Sequence, residues 1–258
     1  MSRISKQEYR FLKNEETKRQ ARQEDFKTLI SSLPKPDQES SNFSEAQKAV
    51  NIVVEMRDQG YDVFDAVVLS KGFIASTDSD THGKNRAWET FFGGRGDGSP
   101  EPDALWGEIK LSQITKEHTL EQVMTIGTLS KRNKETKERE VKDNFEDSYT
   151  YKKLKKCFVT TYYQEGKQKG HKISESFVFE VENPLWYDRI KEDWEFYRDE
   201  YRQRYADYKA GKIKKRASGI MKSDTKGGRC PNGTLGIRSD SIIFNKKFFK
   251  EASEYYAK

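Results

Sequence analysis

Between Tyr187 and Tyr208, seven large side chains (Tyr187, Ile190, Trp194, Tyr197, Tyr201, Tyr205 and Tyr208) recur at steps of three and four. That spacing places them on one face of an α-helix running from about 187 to 209, and rings of this size on one face need a core to cover them. The chain as a whole is polar: charged residues make up 35% and the apolar set 33%, but aromatics reach 12%. Large rings do much of the burying in such a composition. A length of 258 residues suits one compact domain with a short appendage.

The net charge of +6 and a pI near 9.0 favour a polyanionic partner, either nucleic acid or an anionic membrane surface. No apolar run is long enough to span a bilayer, and Met1 to Arg10 lacks the apolar centre of a signal peptide. The expectation is a cytoplasmic protein without a membrane segment. Cys157 and Cys230 stand alone, and His82, His118 and His171 are far apart, which argues against a disulfide framework or a zinc site.

Residues 4–33 are rich in Lys, Arg, Glu and Gln and end at Leu33-Pro34-Lys35-Pro36, the pattern of a solvated helix with a proline stop. Residues 1–40 are therefore read as a charged helical extension of a domain spanning 41–258. A capped amphipathic helix is expected from Ser44 to about Gln59, followed by a short apolar run from Tyr61 to Ser70 and a helix over Lys84 to Phe92. The glycine-rich loop Gly93 to Pro100 lacks the Gly-Lys-Ser/Thr ending of a phosphate-binding loop. Strands are expected at 105–112, 122–129, 157–163, 175–182 and 241–244, with a charged connector at 131–147 and a last helix from Lys246 to Tyr256. Helices and strands mixed in this order predict an α/β or α+β fold around a central mixed sheet.

The segment Pro102-Asp103-Ala104-Leu105-Trp106-Gly107-Glu108-Ile109-Lys110-Leu111 carries an Asp and, five residues on, Glu-x-Lys. In a strand, period two puts Glu108 and Lys110 on one face and Ile109 on the other. Phosphodiester hydrolysis uses two carboxylates to hold Mg²⁺ and a cation to position or activate the attacking water. Asp103 and Glu108 have the chemistry of the ligands and Lys110 that of the cation. Glu-x-Lys also begins at Glu16, Glu135, Glu140 and Glu165, but only the triplet at Glu108 has apolar flanks and an upstream Asp. Taken alone, it fits a half-exposed structural strand as well as a nuclease site.

The run Glu89-Thr90-Phe91-Phe92-Gly93, the loop after it, Pro102-Asp103 and Gly107-Glu108-Ile109-Lys110 together resemble the active-site segment of the MutH family and its restriction-enzyme relatives. Tyr151-Lys152-Lys153-Leu154-Lys155-Lys156-Cys157-Phe158-Val159 is similar to that family's Lys-Leu-Lys helix end running into a strand. Pro184-Leu185-Trp186, Lys191 to Glu195 and Ile243 to Phe249 resemble its long helix, final strand and final helix, so the likeness runs in order over about 44–258. The resemblance implies a restriction-endonuclease-like PD-(D/E)xK fold: a central mixed sheet flanked by helices. It also implies Asp103, Glu108, Lys110, Glu89 and Lys153 as active-site residues, and Mg²⁺, with Mn²⁺ as a substitute, as cofactor. Two departures stand out. The Asp-to-Glu spacing is shorter than in MutH itself, and Phe244 stands where MutH has a tyrosine associated with reading the target's methylation state.

Between Lys209 and Arg229, eight basic residues face one acid, Asp224. Such a segment is either a solvated loop or a DNA-facing one, and a polyanionic substrate favours the second reading. The expected DNA contacts are Lys84, Arg86, Lys152, Lys155, Lys156, Lys212, Lys214, Lys215, Arg216, Lys226, Arg229 and Arg238. The leading expectation is a type II restriction endonuclease acting on double-stranded DNA, paired functionally with a cognate DNA methyltransferase. The alternatives are a mismatch-repair nickase recruited by a MutL-like partner and a DNA-binding module with an inactive site. The sequence leaves monomer or dimer open.

Overall fold

The computed structural model describes residues 6–69, 81–95, 101–133, 135, 136, 138–164, 171–216, 219–224 and 229–256. Lys226 and the loop positions Gly96 to Pro100 lie outside these residues. The order of elements is α1 (Lys6–Ser32), α2 (Phe43–Asp58), α3 (Val63–Leu69), α4 (Thr81–Phe91), β1 (Glu108–Gln113), β2 (Thr125–Thr128), β3 (Ser130–Arg132), β4 (Arg139–Val141), α5 (Tyr149–Leu154), β5 (Cys157–Gln164), β6 (His171–Phe179), α6 (Tyr187–Lys209), β7 (Leu235–Arg238), β8 (Ser241–Phe244) and α7 (Lys246–Tyr256).

The fold mixes helices with small sheets, and the single central sheet expected from the sequence is divided. β1 pairs parallel with β5, and β5 antiparallel with β6, giving one mixed three-stranded sheet. β2, β8 and β7 form a second, antiparallel sheet, and β3 and β4 form a hairpin. The charged connector at 131–147 hid this hairpin, and the basic, glycine-rich stretch hid β7. β3 and β4 are three residues each and strongly charged, and β7 offers only Leu235 and Ile237 about a glycine, so each is too short to stand out although its hairpin partner is close in the chain.

Period two along β5 explains how the layers stack. Phe158 and Tyr162 belong to one core, with Ile109 and Leu111 of β1, Ile173 and Val178 of β6, and α1 to α4. Cys157 and Val159 belong to the other, with Phe177 and Phe179 of β6, β2, β7, β8, α6 and α7. A strand whose two faces are both covered reads without polar alternation, and 157–163 (Cys157-Phe158-Val159-Thr160-Thr161-Tyr162-Tyr163) carries no charged residue.

α1 is not wholly a solvated extension. Phe26 and Ile30 are buried in the first core, and Arg22 grips α3 through Asp65, 2.9 Å from Oδ2, and the Gly60 carbonyl at 2.8 Å. α3 grows from the apolar run after Tyr61 because Asp62 and Asp65 cap each other's backbone N–H groups at 3.0 and 2.9 Å. α2 starts two residues earlier than Ser44 would cap it, since Asn42 Oδ1 accepts from the Ser44 N–H.

The aromatic face of α6 is a packing face. Ile190, Trp194, Tyr197 and Tyr201 are fully buried, with Tyr187, Tyr205 and Tyr208 packed against the same core. Asp193, also on α6, is equally buried. Its carboxylate accepts from the backbone N–H groups of Asn232 (2.7 Å), Thr234 (2.6 Å) and Leu235 (3.1 Å) and from the Thr234 hydroxyl (2.6 Å). One side chain thereby fixes the start of β7 to the long helix. Orphaned buried donors cost ~1–3 kcal/mol each, so Asp193→Ala is expected to remove at least about 3 kcal/mol of stability. A urea-unfolding midpoint for Asp193→Ala matching the parent's would show that β7 is held by other means.

Candidate active site

The same alternation that sends Ile109 and Leu111 into the first core turns Glu108 and Lys110 to the opposite face of β1, an edge strand of its sheet. α5 faces them. Its N-cap Ser148 accepts from the Tyr151 N–H at 3.0 Å and sets the register of the single turn and a half that follows. That register carries Lys153 inward, where its Nζ donates to both oxygens of Glu108, at 2.7 and 2.9 Å. Lys110 Nζ forms an ion pair with the same carboxylate. Glu108 is 0% exposed, so two ammoniums are its compensation for leaving water.

Asp103 precedes a tight turn in which Ala104 and Gly107 exchange backbone hydrogen bonds at 3.0 and 3.1 Å. Gly107 is required there: its φ is 154°, and a Cβ would lie 2.5 Å from the Lys156 carbonyl oxygen. Beyond the turn the chain re-enters β1, so Asp103 Oδ2 accepts from the Ile109 N–H at 3.0 Å. Glu89 arrives from α4. That helix ends with Gly93 at a φ of 81°, its N–H on Thr90 and the Gly94 N–H on the Glu89 carbonyl. Arg95 N–H then meets the Asp103 carbonyl at 2.9 Å, fastening the helix end beside Asp103. A Cβ on Gly94 would sit 3.0 Å from Ile109 Cδ1 and 3.2 Å from Asp103 Cβ. The sequence showed these glycines as a loop; the paired glycines after Phe92 are the signal of a helix stop that positions Glu89.

Glu89, Asp103, Glu108, Lys110 and Lys153 thus sense one another's charge. Burial raises the Glu89 carboxyl to about 7, Asp103 and Glu108 add to the rise, and Lys110 and Lys153 oppose it. Burial likewise pushes Glu108 above the usual carboxylate range, against the pull of Lys110 and Lys153. Burial pulls Lys110 down, but Glu108 and then Asp103 outweigh it, so Lys110 stays an ammonium, above its ordinary value.

This donor set fits Mg²⁺. The oxygens are hard carboxylate donors, and Asp103 Oδ1 accepts no hydrogen bond from a described residue. Burial first, and then the charges of Asp103 and Glu108, hold the Glu89 carboxyl up, and a divalent cation favours the ionised carboxylates. Among the described residues no three His, Cys, Asp or Glu side chains form a ready cage. Mg²⁺ needs none, since it binds through one or two carboxylates, waters and substrate phosphate oxygens.

The expected DNA contacts divide. Arg86, Lys152, Lys155, Lys214, Lys215, Arg216 and Arg238 are exposed. Lys152, Lys155 and the half-buried Lys156 line a groove of about 720 Å³ with Arg95 and Leu105, next to the Asp103 turn. Lys84 does not face solvent: it is buried, with Nζ 3.0 Å from His171 Nε2. Arg229 is held by Glu200 at 2.8 Å and Asp224 at 3.4 Å, Lys209 by Glu138 at 2.6 Å and Lys212 by Asp207 at 3.5 Å. The basic segment is therefore anchored at its start by Glu138 and Asp207 and at its end by Glu200 together with its own Asp224. Its exposed cations without an ion pair among the described residues narrow to Lys214, Lys215, Arg216 and Lys222.

The chain matches no protein-family model and no curated relative. No described helix is long and apolar enough to cross a membrane.

The clustered carboxylates give the metal-free protein a distinctive pH dependence. Glu89 titrates at about 7 when folded against 4.5 when unfolded, so the folded state holds an extra proton between those values. The stability this contributes is complete below the unfolded value and is lost as pH rises through about 7. The urea midpoint should fall between about pH 5.5 and about pH 8. Glu89→Gln should narrow that fall, and added Mg²⁺ should raise the midpoint at the upper pH. Identical pH profiles for parent and Glu89→Gln would contradict the charge cluster.

Proposed function

We propose that this chain is a Mg²⁺-dependent endonuclease that cuts double-stranded DNA, with a restriction-endonuclease-like fold. What supports the reading is the meeting of Glu89, Asp103, Glu108, Lys110 and Lys153, from α4, the following loop, β1 and α5, in one cluster. A structural ion pair needs one acid and one base. Three acids and two bases pressed together at a sheet edge, with a carboxyl raised to about 7, are the arrangement of a site that trades stability for chemistry.

Asp103 and Glu108 would hold Mg²⁺, with Glu89 beside them. Bound there, the ion supplies Lewis-acid polarisation of the phosphate and a more acidic water. Lys110, kept as an ammonium, offers positive charge to the phosphate oxygens or orients the attacking water, and as an ammonium it is not the group that takes the water's proton. Lys153 holds the Glu108 carboxylate in place through two hydrogen bonds. Attack of water on phosphorus in line with the 3′ oxygen breaks the P–O3′ bond; the water's proton passes to solvent, and the leaving oxygen takes one up to become a 3′-hydroxyl beside the 5′-phosphate. The exposed cations beside the site bind the backbone without reading sequence. In that role the protein acts in the cytoplasm, with a DNA methyltransferase as the functional companion of a restriction enzyme.

Digestion of methylation-free plasmid with purified protein and Mg²⁺ tests this. Both strands should be cut at one sequence with no added protein. Asp103→Ala, Glu108→Ala and Lys110→Ala should each lose cleavage by about 100-fold or more while keeping DNA binding. Near-parent cleavage by Glu108→Ala would remove the assignment. Slow nicking that requires a MutL-like ATPase would replace restriction by repair.

A further inference from the structure

The ring of Tyr149, at the start of α5, gathers two ammonium groups: Lys131 Nζ lies 5.3 Å from its centroid and Lys152 Nζ 5.8 Å. The two lysines come from different parts of the chain, β3 and α5. They meet because β2, which runs into β3, packs on α5: a Cβ on Gly127 would be 3.7 Å from Thr150 Cα and 3.7 Å from Lys153 Cδ. The β3–β4 hairpin that carries Lys131 is itself supported. Ser130 Oγ donates to the Tyr201 hydroxyl at 2.9 Å, the Arg139 N–H donates to the Tyr205 hydroxyl at 3.3 Å, and Lys209 pairs with Glu138 at 2.6 Å. Lys131 is therefore presented from a braced hairpin on α6, not from a free connector.

We propose that Lys131 and Lys152, gathered on Tyr149, form a phosphate clamp for the DNA strand entering the active site. The clamp rests on the endonuclease reading and adds to it an element, the β3–β4 hairpin, that the sequence did not single out. Two like charges drawn to one ring repel each other, and an exposed cation–π contact returns only about 0.5–1 kcal/mol. The neighbouring acids do little to offset this. Glu101 is 3.4 Å from Lys152, but the side chains are 42% and 45% exposed, a surface pair worth roughly 0–1 kcal/mol. Glu140, opposite Lys131 in the hairpin, is engaged by Asn133 Nδ2 at 2.6 Å. Among the described residues Lys131 forms no ion pair.

The anion that suits this pair is a phosphodiester, which meets lysines as point charges and offers them regularly spaced oxygens. Position supports the same occupant. Lys152 precedes Lys153 in α5, and consecutive helix residues diverge by about 100°. One lysine therefore holds Glu108 inside the site while its neighbour faces the groove lined by Arg95, Lys155 and Lys156. A strand held at Lys131 and Lys152 is delivered to Asp103 and Glu108.

The test is fluorescence anisotropy with a labelled duplex of random sequence, in EDTA, across a salt series. Lys131→Gln and Lys152→Gln should each flatten the slope of log K against log salt by about 0.9, and the double variant by about 1.8. Lys131→Arg should restore the slope, and Tyr149→Phe, which keeps the ring, should leave it unchanged. All these side chains lie at the surface or at its edge, and circular dichroism with a urea midpoint checks that each variant is folded. If the parent binds with a steep slope and Lys131→Gln keeps it, the clamp is wrong and the endonuclease reading stands. A parent that binds no duplex at all overturns both.

Discussion

The carboxylate of Glu108, enclosed at the edge of β1 and held by Lys110 on one side and Lys153 on the other, is the contact through which the two halves of the molecule are joined at the site. A carboxylate without water needs such partners: breaking a buried pair by removing one member costs about 3–5 kcal/mol. Satisfying it obliges α5 to end against β1, and α5 brings β2 and the β3–β4 hairpin with it. Asp103 and Glu89 close the cluster from the other side through two backbone devices, the Ala104–Gly107 turn and the glycine stop of α4. The cluster is therefore held less by its own charges, which oppose one another, than by turns and caps that leave the charges no other place.

That arrangement depends on β5. Its two faces enter two different cores, so with its neighbour β6 it is shared by both layers. β1 is tied to it in parallel register, Glu108 opposite Cys157, and the Glu108 N–H donates to the Lys156 carbonyl at 2.9 Å. The register decides that Glu108 and Lys110 face α5. A shift by one residue would exchange them with Ile109 and place two charges in the aromatic core of α1 to α4. The buried Asp193 plays the matching part in the other layer, where it fastens β7 to α6 and so sets where the basic segment after α6 returns to the sheet.

The cationic surface shows how a charge count along the chain misleads. Between Lys209 and Arg229 the sequence offers many bases and one acid, but Glu138, Asp207 and Glu200 reach in from elsewhere and fix its ends. Lys84 reads as a surface lysine of a helix and lies buried against His171. Conversely, Lys131 sits in a connector whose composition suggests mere solvation, and the hairpin carries it to the ring of Tyr149.

Local chemistry determined a good part of this protein. The three-and-four stripe from Tyr187 fixed α6 to the residue, because a periodic apolar face has one helical solution, and the short final helix was equally legible. Strand alternation put Glu108 and Lys110 on one side of β1 before any partner was known. Nothing local could divide the strands into separate sheets, bury Phe26 and Ile30 of α1, or find β3, β4 and β7. Those strands are only three or four residues long, too few for a pattern to show, and they form as local hairpins that the rest of the fold supports. The grouping of Glu89, Asp103, Glu108, Lys110 and Lys153 had only the family resemblance behind it in the sequence, and it is tertiary structure that brings them together. A charge placed in water has no preferred neighbour, and only burial forces these five to share one.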